Sequence, residues 1–390
     1  MTVPTAALAA LPMLSPAAPR AVIAIPAHDE AAWLPGCLNA LAAQILRGGL
    51  ADIPVLVLAN NCTDATAARA RAMAPELPFP LLVMEHRLPP ALAHAGGARH
   101  QAMEAAAALA GPATALLSTD ADARPDSGWL AANLDALAAG ADAVAGTIAL
   151  DATEAARLPP ALRRREALEA RYAGLLDRLA ARIDPVAHDP WPSHGTQSGA
   201  SIALRLAPYR AVGGVPLVPA GEDRALFAAL ARRDARIRHT PAARVIVSCR
   251  LDGRAAGGMA DTMRQRLADP RHPVDARLEA AIPALIRLRS RRALRLLRAG
   301  RPRLGDPQRL ALGLGLAPGA LGRIIAAPSF GLAWEALQAA APLLRRPRRL
   351  AAAELPAEII RARTLLRALA SLSPAAAARP AGIGRPVPAG

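Results

Sequence analysis

Two aspartates one residue apart give the sequence its clearest chemical signal. Asp120 and Asp122 follow the apolar run at residues 115–117, and carboxylates have no packing reason to stand so close to a buried strand. At this spacing both can reach one hard cation such as Mg²⁺ or Mn²⁺. Such a cation can bridge a diphosphate and offset the charge that develops on a leaving group. A polar turn in which Asp caps the backbone is the competing interpretation.

Polar groups also follow two earlier apolar runs. They stand in the segments Ile-Pro-Ala-His-Asp-Glu and Asn-Asn-Cys-Thr-Asp, with Pro26, His28 and Glu30 in the first and Asn60 and Asp64 in the second. Ligands of open α/β sheets bind outside the carboxyl ends of the strands, so these groups are expected on one edge, where they can bond a base and a ribose. Turn formation and helix capping explain a single Asn or Asp equally well, but the whole set favours binding.

Strand and helix patterns alternate over the first 118 residues. Short apolar runs predict strands at 21–25, 53–58, 79–85 and 113–118, with helices between them that end near residues 46, 73 and 109. Short connections between such elements predict a parallel sheet covered by helices on both faces. Later patterns predict helices at 161–183 and 222–232, strands at 198–204 and 244–249, and a loop at 184–195.

The ordered motifs resemble a known family. Ile-Pro-Ala-His-Asp-Glu, Asn-Asn-Cys-Thr-Asp and Asp-Ala-Asp are similar to motifs of the family 2 glycosyltransferases of the GT-A fold, and Gly-Glu-Asp at residues 221–223 resembles the acceptor-side motif of that family. The resemblance covers about residues 20–266. It implies an α/β fold with a GT-A-like, mostly parallel sheet flanked by helices, to which the remaining chain adds a C-terminal helical extension. It also implies transfer of a sugar from a nucleoside diphosphate to an acceptor hydroxyl.

The resemblance further implies roles for individual residues. The donor would be bound by residues that follow the first, second and fourth predicted strands and by Arg99, which could meet a phosphate: Pro26, His28, Glu30, Asn60, Asp64, Arg99 and Asp120. Asp120 and Asp122 would hold Mg²⁺ or Mn²⁺, with Asp122 as the more direct ligand. The acceptor side would be lined by Gln197, Ser198 and Gly199.

Asp223 is the candidate general base, with Glu222 beside it. An acceptor hydroxyl that attacks the anomeric carbon must lose its proton, and a carboxylate opposite the leaving group can take it. An acidic pair at the start of a helix is also favoured by the helix dipole, which is the structural alternative. Inversion of the anomeric configuration is expected. Retention stays open because some glucosyl-phosphoglycerate synthases carry similar motifs.

One position departs from the family pattern. Related enzymes often complete the metal site with a His from a late strand, whereas the run at 245–250 offers Cys249 near that place. A thiol is a poor partner for Mg²⁺. His239 and His194 are the alternative ligands.

The C-terminal third carries nearly all of the net charge of +16. Residues 271–390 contain 21 Arg and 6 acidic residues, whereas the first 270 contain 26 Arg and 25 acidic residues, and the sequence has no Lys. Such a basic segment favours an anionic partner or forms a solvated helical face. Nucleic acid is disfavoured as that partner, because aromatic residues that could stack on bases make up only 2% of the chain.

An apolar stretch lies between Arg clusters in this third. From Leu310 to Leu344 the only charged residues are Arg323 and Glu335. The stretch either packs its apolar faces inward, as amphipathic helices usually do, or lies in an anionic membrane interface. The pattern predicts helices at 277–298, 331–341 and 357–372.

These observations divide the chain into four predicted parts. They are a disordered leader at 1–19, a glycosyltransferase GT-A-like domain at 20–269, a basic helical extension at 270–373 and a disordered tail at 374–390. The leader lacks the basic start of a signal peptide, the three cysteines show no disulfide or metal spacing, and no run predicts a membrane-spanning helix. A cytoplasmic protein is expected, with attachment to the inner face of the membrane as the alternative location.

Two other classes of function stay open. A nucleotidyltransferase shares the sheet and the metal site but usually carries a Gly-rich phosphate loop after the first strand, and residues 26–30 contain no Gly. A non-catalytic anion-binding protein explains the basic third but leaves the carboxylates at the strand ends without a role.

Overall fold

The computed structural model describes residues 18–253, 257–301, 306–345 and 349–371. Eight strands form one sheet in the order β3-β2-β1-β4-β7-β6-β8-β5. In chain order they are β1 (Ala21–Ala27), β2 (Val55–Asn60), β3 (Leu81–His86), β4 (Ala115–Ser118), β5 (Ala123–Pro125), β6 (Ala143–Leu150), β7 (Ile202–Arg205) and β8 (Ile237–Val247).

The first half of the sheet is parallel, and its strands β1 and β2 are buried on both faces. β1 pairs in parallel with β2 and β4, and β2 pairs in parallel with β3. The connecting helices are α1 (Leu34–Ala42), α2 (Thr66–Met73) and α3 (Ala95–Leu109). Ile23 of β1 belongs to the same core cluster as Leu38 of α1, and Val22 to the cluster that includes Ala102 of α3. Burial on both faces explains why β1 reads as a continuous apolar run.

The second half of the sheet is mixed. β4 pairs antiparallel with β7, β7 with β6 and β8 with β5, whereas β6 and β8 run parallel. The described strands therefore form four parallel and three antiparallel pairs, which confirms the predicted mostly parallel α/β sheet. The helices of this half are α4 (Trp129–Ala138), α5 (Ala152–Arg157), α6 (Pro160–Ile183), α7 (Leu206–Ala211), α8 (Glu222–Arg232) and α9 (Met259–Ala268).

The sheet curls back on itself at the link between β4 and β5. Four residues join these strands, yet β5 is four places from β4 in the sheet order. Adjacent strands lie about 4.8 Å apart, so a flat sheet would separate the two strands by roughly 19 Å. The link cannot reach that far, because it makes a turn in which Ala123 N donates to the Asp120 carbonyl at 3.1 Å. Asp120 and Asp122 therefore lie where the two halves of the sheet meet.

Five α-helices in the described residues after 270 confirm the predicted helical C-terminal part. They are α10 (Ala281–Arg298), α11 (Pro307–Gly313), α12 (Ala320–Ile325), α13 (Phe330–Ala340) and α14 (Leu355–Ser371). One core joins α10 and α14 to α6 through residues such as Tyr172, Leu179 and Ile359. A second core gathers Leu294 of α10 with the apolar residues of α11 to α13. This second core buries much of the apolar stretch from 310 to 344.

Ion pairs also connect the C-terminal helices to the sheet domain. Arg295 of α10 donates to both carboxylate oxygens of Asp184 at 3.1 Å, and Arg232 of α8 pairs with Glu335 of α13 at 2.8 Å. Part of the positive charge of the C-terminal third is therefore neutralised by ion pairs within the fold. Within the described residues no helix has both the length and the apolar character that a membrane crossing needs.

The helices at 95–109 and 222–232 have the bounds that the sequence predicted. α1 ends at Ala42 and not near residue 46. The predicted tail at 374–390 and most of the leader at 1–19 lie outside the described residues. The sequence did not predict β5, α4, β6, α11 and α12.

Candidate active site

A buried arginine lies at the centre of the site. Arg99 stands in the first turns of α3, and its side chain is only 6% exposed. Its Nε donates to Glu222 Oε1 at 2.9 Å, and its Nη2 donates to Asp120 Oδ1 at 2.6 Å. Its Nη1 donates to Ser118 Oγ at 2.8 Å and to the Gly199 carbonyl at 3.0 Å. One guanidinium group therefore joins the end of β4 to the acceptor-side residues.

Two glycines allow the close packing around this guanidinium. A Cβ on Gly96 would lie 2.0 Å from the Val218 carbonyl oxygen, and a Cβ on Gly199 would lie 2.2 Å from Arg99 Nη2. Atoms cannot approach this closely, so α3 can pack against the segment before α8 because residue 96 has no side chain. The Gly199 backbone likewise reaches Arg99 because it carries none.

Asp223 is fixed by backbone amides. Gly199 N donates to Asp223 Oδ2 at 2.9 Å, and Arg224 N donates to Oδ1 at 2.7 Å. Burial raises the pKa of the Asp223 carboxyl above its usual range. The backbone of a single residue, Gly199, thus connects Asp223 to Arg99. The result is a positioned carboxylate of increased basicity beside the acceptor-side segment 197–199.

A second arginine, Arg250, lies next to Asp122. Its Nη2 is 2.7 Å from Glu30 Oε1 and 3.0 Å from Asp122 Oδ2, and its Nη1 is 3.1 Å from Glu30 Oε2. The guanidinium also stacks over the Trp33 ring at 5.1 Å from the centroid. Glu30, at the end of β1, and Asp122, after β4, are therefore bridged by a residue that follows β8.

The Asp122 carboxyl has an unusual environment. Burial, followed by the negative charge of Asp120, raises the pKa of Asp122 to about 6. Asp122 also lines a cavity of about 170 Å³ together with Trp33, Arg124 and Glu154. A carboxylate that is costly to ionise, beside a second carboxylate and a cavity, is a suitable place for an additional cation.

The carboxyl ends of β1 and β2 are joined by side chains. His28 Nδ1 lies 2.9 Å from the Asn60 carbonyl, and Asn60 Nδ2 donates to the Ala27 carbonyl at 2.8 Å. Asn60 is buried and holds the two strand ends together, whereas His28 is exposed at their edge and Pro26 is partly exposed. His28 is thus placed to meet a ligand and Asn60 to position the backbone.

The loops after these strands also hold each other. Asp29 has a left-handed backbone (φ 52°), and its carboxylate accepts from Thr63 N at 2.6 Å and from Asp64 N at 3.1 Å. The Thr63 backbone amide keeps the pKa of Asp29 below its usual range. Asp64 in turn accepts from Ala31 N at 2.9 Å. The strained backbone of Asp29 is stabilised by these contacts at the predicted nucleotide edge.

A comparison with known families gives the decisive observation. The family model "Glycosyl transferase family 2" matches residues 22–191, which run from β1 through the Asp120–Asp122 link to the loop after α6. These residues form a family 2 glycosyltransferase domain. The recognition of a family 2 glycosyltransferase from its ordered motifs, and hence of an enzyme, is confirmed.

The chain is also similar to several solved structures. S. aureus TarS 1-349 in complex with UDP is 16% identical, and the match covers 90% of this chain and 91% of that chain with a TM-score of 0.44. The TarS 1-349 complex with UDP-GlcNAc is 17% identical, with the same coverage and a TM-score of 0.45. The mannosyltransferase PcManGT from Pyrobaculum calidifontis in complex with GDP-Man and Mn²⁺ is 18% identical, covering 92% and 86%, with a TM-score of 0.42. A search of curated proteins gave no match.

The candidate third metal ligands Cys249, His239 and His194 make other contacts in the fold. Cys249 is buried in a cluster with Leu158 and Met263. His239 Nδ1 lies 2.8 Å from Asp189 Oδ2, and the His194 ring contacts the His239 ring edge-on at 5.8 Å. In the described part of the chain, Asp120 and Asp122 belong to no group of three metal-ligating side chains with all ligand atoms within 4.8 Å of one another.

The structure brings most of the predicted site residues to one edge and adds Arg250. Val245, Val247 and Cys249 are buried, while Ile246, Ser248 and Arg250 alternate with them and are partly exposed. The period of two along β8 therefore directs Arg250 to the face opposite Cys249. That alternation is the sequence signal that could have identified Arg250. Arg99 is placed in contact with protein carboxylates, and its predicted contact with a phosphate stays a prediction.

Proposed function

We propose that the chain transfers a hexose-type sugar from a nucleoside diphosphate to an acceptor hydroxyl in a reaction that depends on a divalent cation. The observation that carries this proposal is the charge of the site. Five carboxylates (Glu30, Asp120, Asp122, Glu222 and Asp223) are accompanied by two guanidinium groups (Arg99 and Arg250), which gives a net charge of −3 when all are ionised. A diphosphate would be repelled from such a site without a further cation.

The oxygen donors suit Mg²⁺ or Mn²⁺. Mg²⁺ is commonly bound by one or two carboxylates together with substrate phosphates, so two aspartates without a third protein ligand are sufficient. Asp122 would be the direct ligand, because Asp120 is held by Arg99. A cation bound there would bridge the diphosphate oxygens and stabilise the leaving group. The PcManGT structure with GDP-Man and Mn²⁺ provides a precedent among similar folds.

The reaction itself rests on Asp223. Its carboxylate accepts the proton of the acceptor hydroxyl as that oxygen attacks the anomeric carbon, while the bond to the diphosphate breaks on the opposite face. A raised pKa makes Asp223 a stronger base than an ordinary aspartate. Arg99, which is paired with Glu222, donates to the Gly199 carbonyl, and the Gly199 amide donates to Asp223 and orients it. A single displacement of this kind inverts the anomeric configuration.

The nucleotide would lie at the edge formed by β1 and β2. His28 is exposed there, and the loops that carry Glu30 and Asp64 are held together by hydrogen bonds. Gln197, Ser198 and Gly199 would line the acceptor side. The family match favours sugar transfer over the nucleotidyltransferase and over a non-catalytic anion-binding protein. The expected cytoplasmic location and contact with an anionic membrane surface remain part of this proposal.

A thermal-shift experiment tests the metal site. UDP or GDP together with Mn²⁺ should stabilise the wild type by about 2.7 kcal/mol at a ligand concentration of 100 Kd, and by more than the sum of the separate additions. Asp122→Asn removes an anionic ligand and preserves shape, so the joint effect should disappear. The matched control is Asp126→Asn, because Asp126 is a nearby partly exposed carboxylate that pairs with Arg244. A joint effect that survives in Asp122→Asn would contradict the proposed metal site.

A further inference from the structure

Arg250 contacts two carboxylates of the donor site unequally. It contacts Glu30 through two nitrogens, at 2.7 and 3.1 Å, whereas it reaches Asp122 at 3.0 Å through one. Glu30 is also the more buried partner, with a side-chain exposure of 11% against 27% for Asp122. Paired hydrogen bonds to a planar guanidinium are stronger and more restrictive than a single contact. Arg250 can therefore release Asp122 and remain bound to Glu30.

The same contact affects any cation that approaches Asp122. The guanidinium already neutralises this carboxylate, and its permanent positive charge repels a second cation that shares it. A diphosphate brings negative charge that offsets this repulsion. The electrostatic repulsion of a cation at Asp122 is therefore greater in the site without a nucleotide than in the site that contains one.

We propose that Arg250 is a resident counter-ion of Asp122, which weakens the binding of a divalent cation until a nucleoside diphosphate is present. This inference rests on the metal dependence of the proposed function. Its consequence is a positive coupling between cation and nucleotide, so that each increases the affinity for the other by the same factor. Arg250 is thus a positioning residue that sets the order of assembly.

Direct binding measurements of Mn²⁺ test this role. Free Mn²⁺ is followed by electron paramagnetic resonance in titrations of the full chain, with and without UDP or GDP. Arg250→Met should bind Mn²⁺ about tenfold more tightly than the wild type when no nucleotide is present, because the competing charge is gone. The coupling factor between Mn²⁺ and nucleotide should fall correspondingly. Arg250→Gln removes the same charge, retains a hydrogen-bond donor for Glu30, and should give the same result if Arg250→Met does not fold.

Arg124→Met is the matched control. Arg124 lines the same cavity as Asp122 but pairs with Asp151, so its removal should change Mn²⁺ affinity by less than about twofold. Unchanged or weaker Mn²⁺ binding by Arg250→Met and Arg250→Gln would overturn the role proposed for Arg250. If the wild type still showed coupling between Mn²⁺ and the nucleotide, the proposed function would stand. If neither the wild type nor the variants bound Mn²⁺ in the presence of either nucleotide, the metal dependence and the role of Arg250 would both be wrong.

Discussion

Replacing Arg99 by methionine tests how the site is held together. Methionine approximates the length of the side chain but leaves Glu222 without its guanidinium partner. The Arg99 and Glu222 side chains are 6% and 7% exposed, so the charge that remains is buried. Breaking a buried pair by removing one partner costs about 3–5 kcal/mol. Asp120 is more exposed and contributes less, so we expect Arg99→Met to lower the free energy of unfolding by about 3–5 kcal/mol.

Two further variants separate the buried charge from other effects. Arg20 pairs with Asp52, and these side chains are 40% and 44% exposed, so Arg20→Met should cost less than about 1 kcal/mol. The double variant Arg99→Met with Glu222→Gln removes the unpaired charge and should recover most of the lost stability. The assay is urea unfolding followed by circular dichroism, with midpoints compared at equal slope.

Two results would contradict the stabilising role given to the Arg99–Glu222 pair. If Arg99→Met were destabilised no more than Arg20→Met, the buried network around Arg99 would not support the site as described. If the double variant were as unstable as Arg99→Met alone, the loss would come from packing and not from the unpaired Glu222 carboxylate.

Three further outcomes are expected. Asp223→Asn should lower kcat by roughly two to four orders of magnitude and leave nucleotide binding nearly unchanged, and a large loss of nucleotide affinity with a small rate loss would move Asp223 to the donor side. The pKa of the Asp122 carboxyl is about 6 in the folded protein, which is above its value in the unfolded chain. Protonation at low pH therefore favours the folded state, and this contribution to the free energy of unfolding is lost as the pH rises through 6. In the presence of a chelator, Asp122→Asn should therefore be about 1–3 kcal/mol more stable than the wild type at pH 8 and equally stable near pH 4; a difference independent of pH would contradict the assigned cause. Membrane contact predicts that the full chain floats with anionic liposomes at low salt and not at high salt, through exposed Leu312 and Leu343 and the arginines of the C-terminal helices; no flotation at low salt would exclude it.

The parts of the fold that the sequence predicted are those with strong local signals. β1 and β2 are continuous apolar runs that end in polar residues, and α8 begins after Gly221 with two acidic residues in its first turn. β5 has three residues and contains Pro125, so it has no measurable periodicity. β6 is rich in alanine, and in a chain with so much alanine an apolar run does not distinguish a strand from a helix.

The sequence singled out the carboxylates of the candidate site and Arg99, but not Arg250. Asp120, Asp122 and Asp223 are rare charges beside apolar segments, so each is conspicuous. Arg99 and Arg250 are two of 47 arginines, and composition alone cannot rank them. Their importance depends on a fold that brings Arg99 into contact with Glu222, 123 positions away, and Arg250 into contact with Glu30, 220 positions away. The alternation before Arg250 indicates the face on which it lies, but local spacing does not identify the distant partner of either arginine.

Because the sheet curls, the two aspartates of the link contact different parts of the fold. Asp120 is attached through Arg99 to α3 and α8, whereas Asp122 precedes Ala123, which pairs with Val247 of β8, and contacts Arg250 beyond that strand. Ala121 is the one residue between them. Any displacement of the β5–β8 ribbon against the parallel half therefore changes the separation of the two carboxylates directly. A cation shared by Asp120 and Asp122 would need both carboxylates at a fixed separation, so its affinity would depend on how β5 and β8 are placed against the parallel half of the sheet.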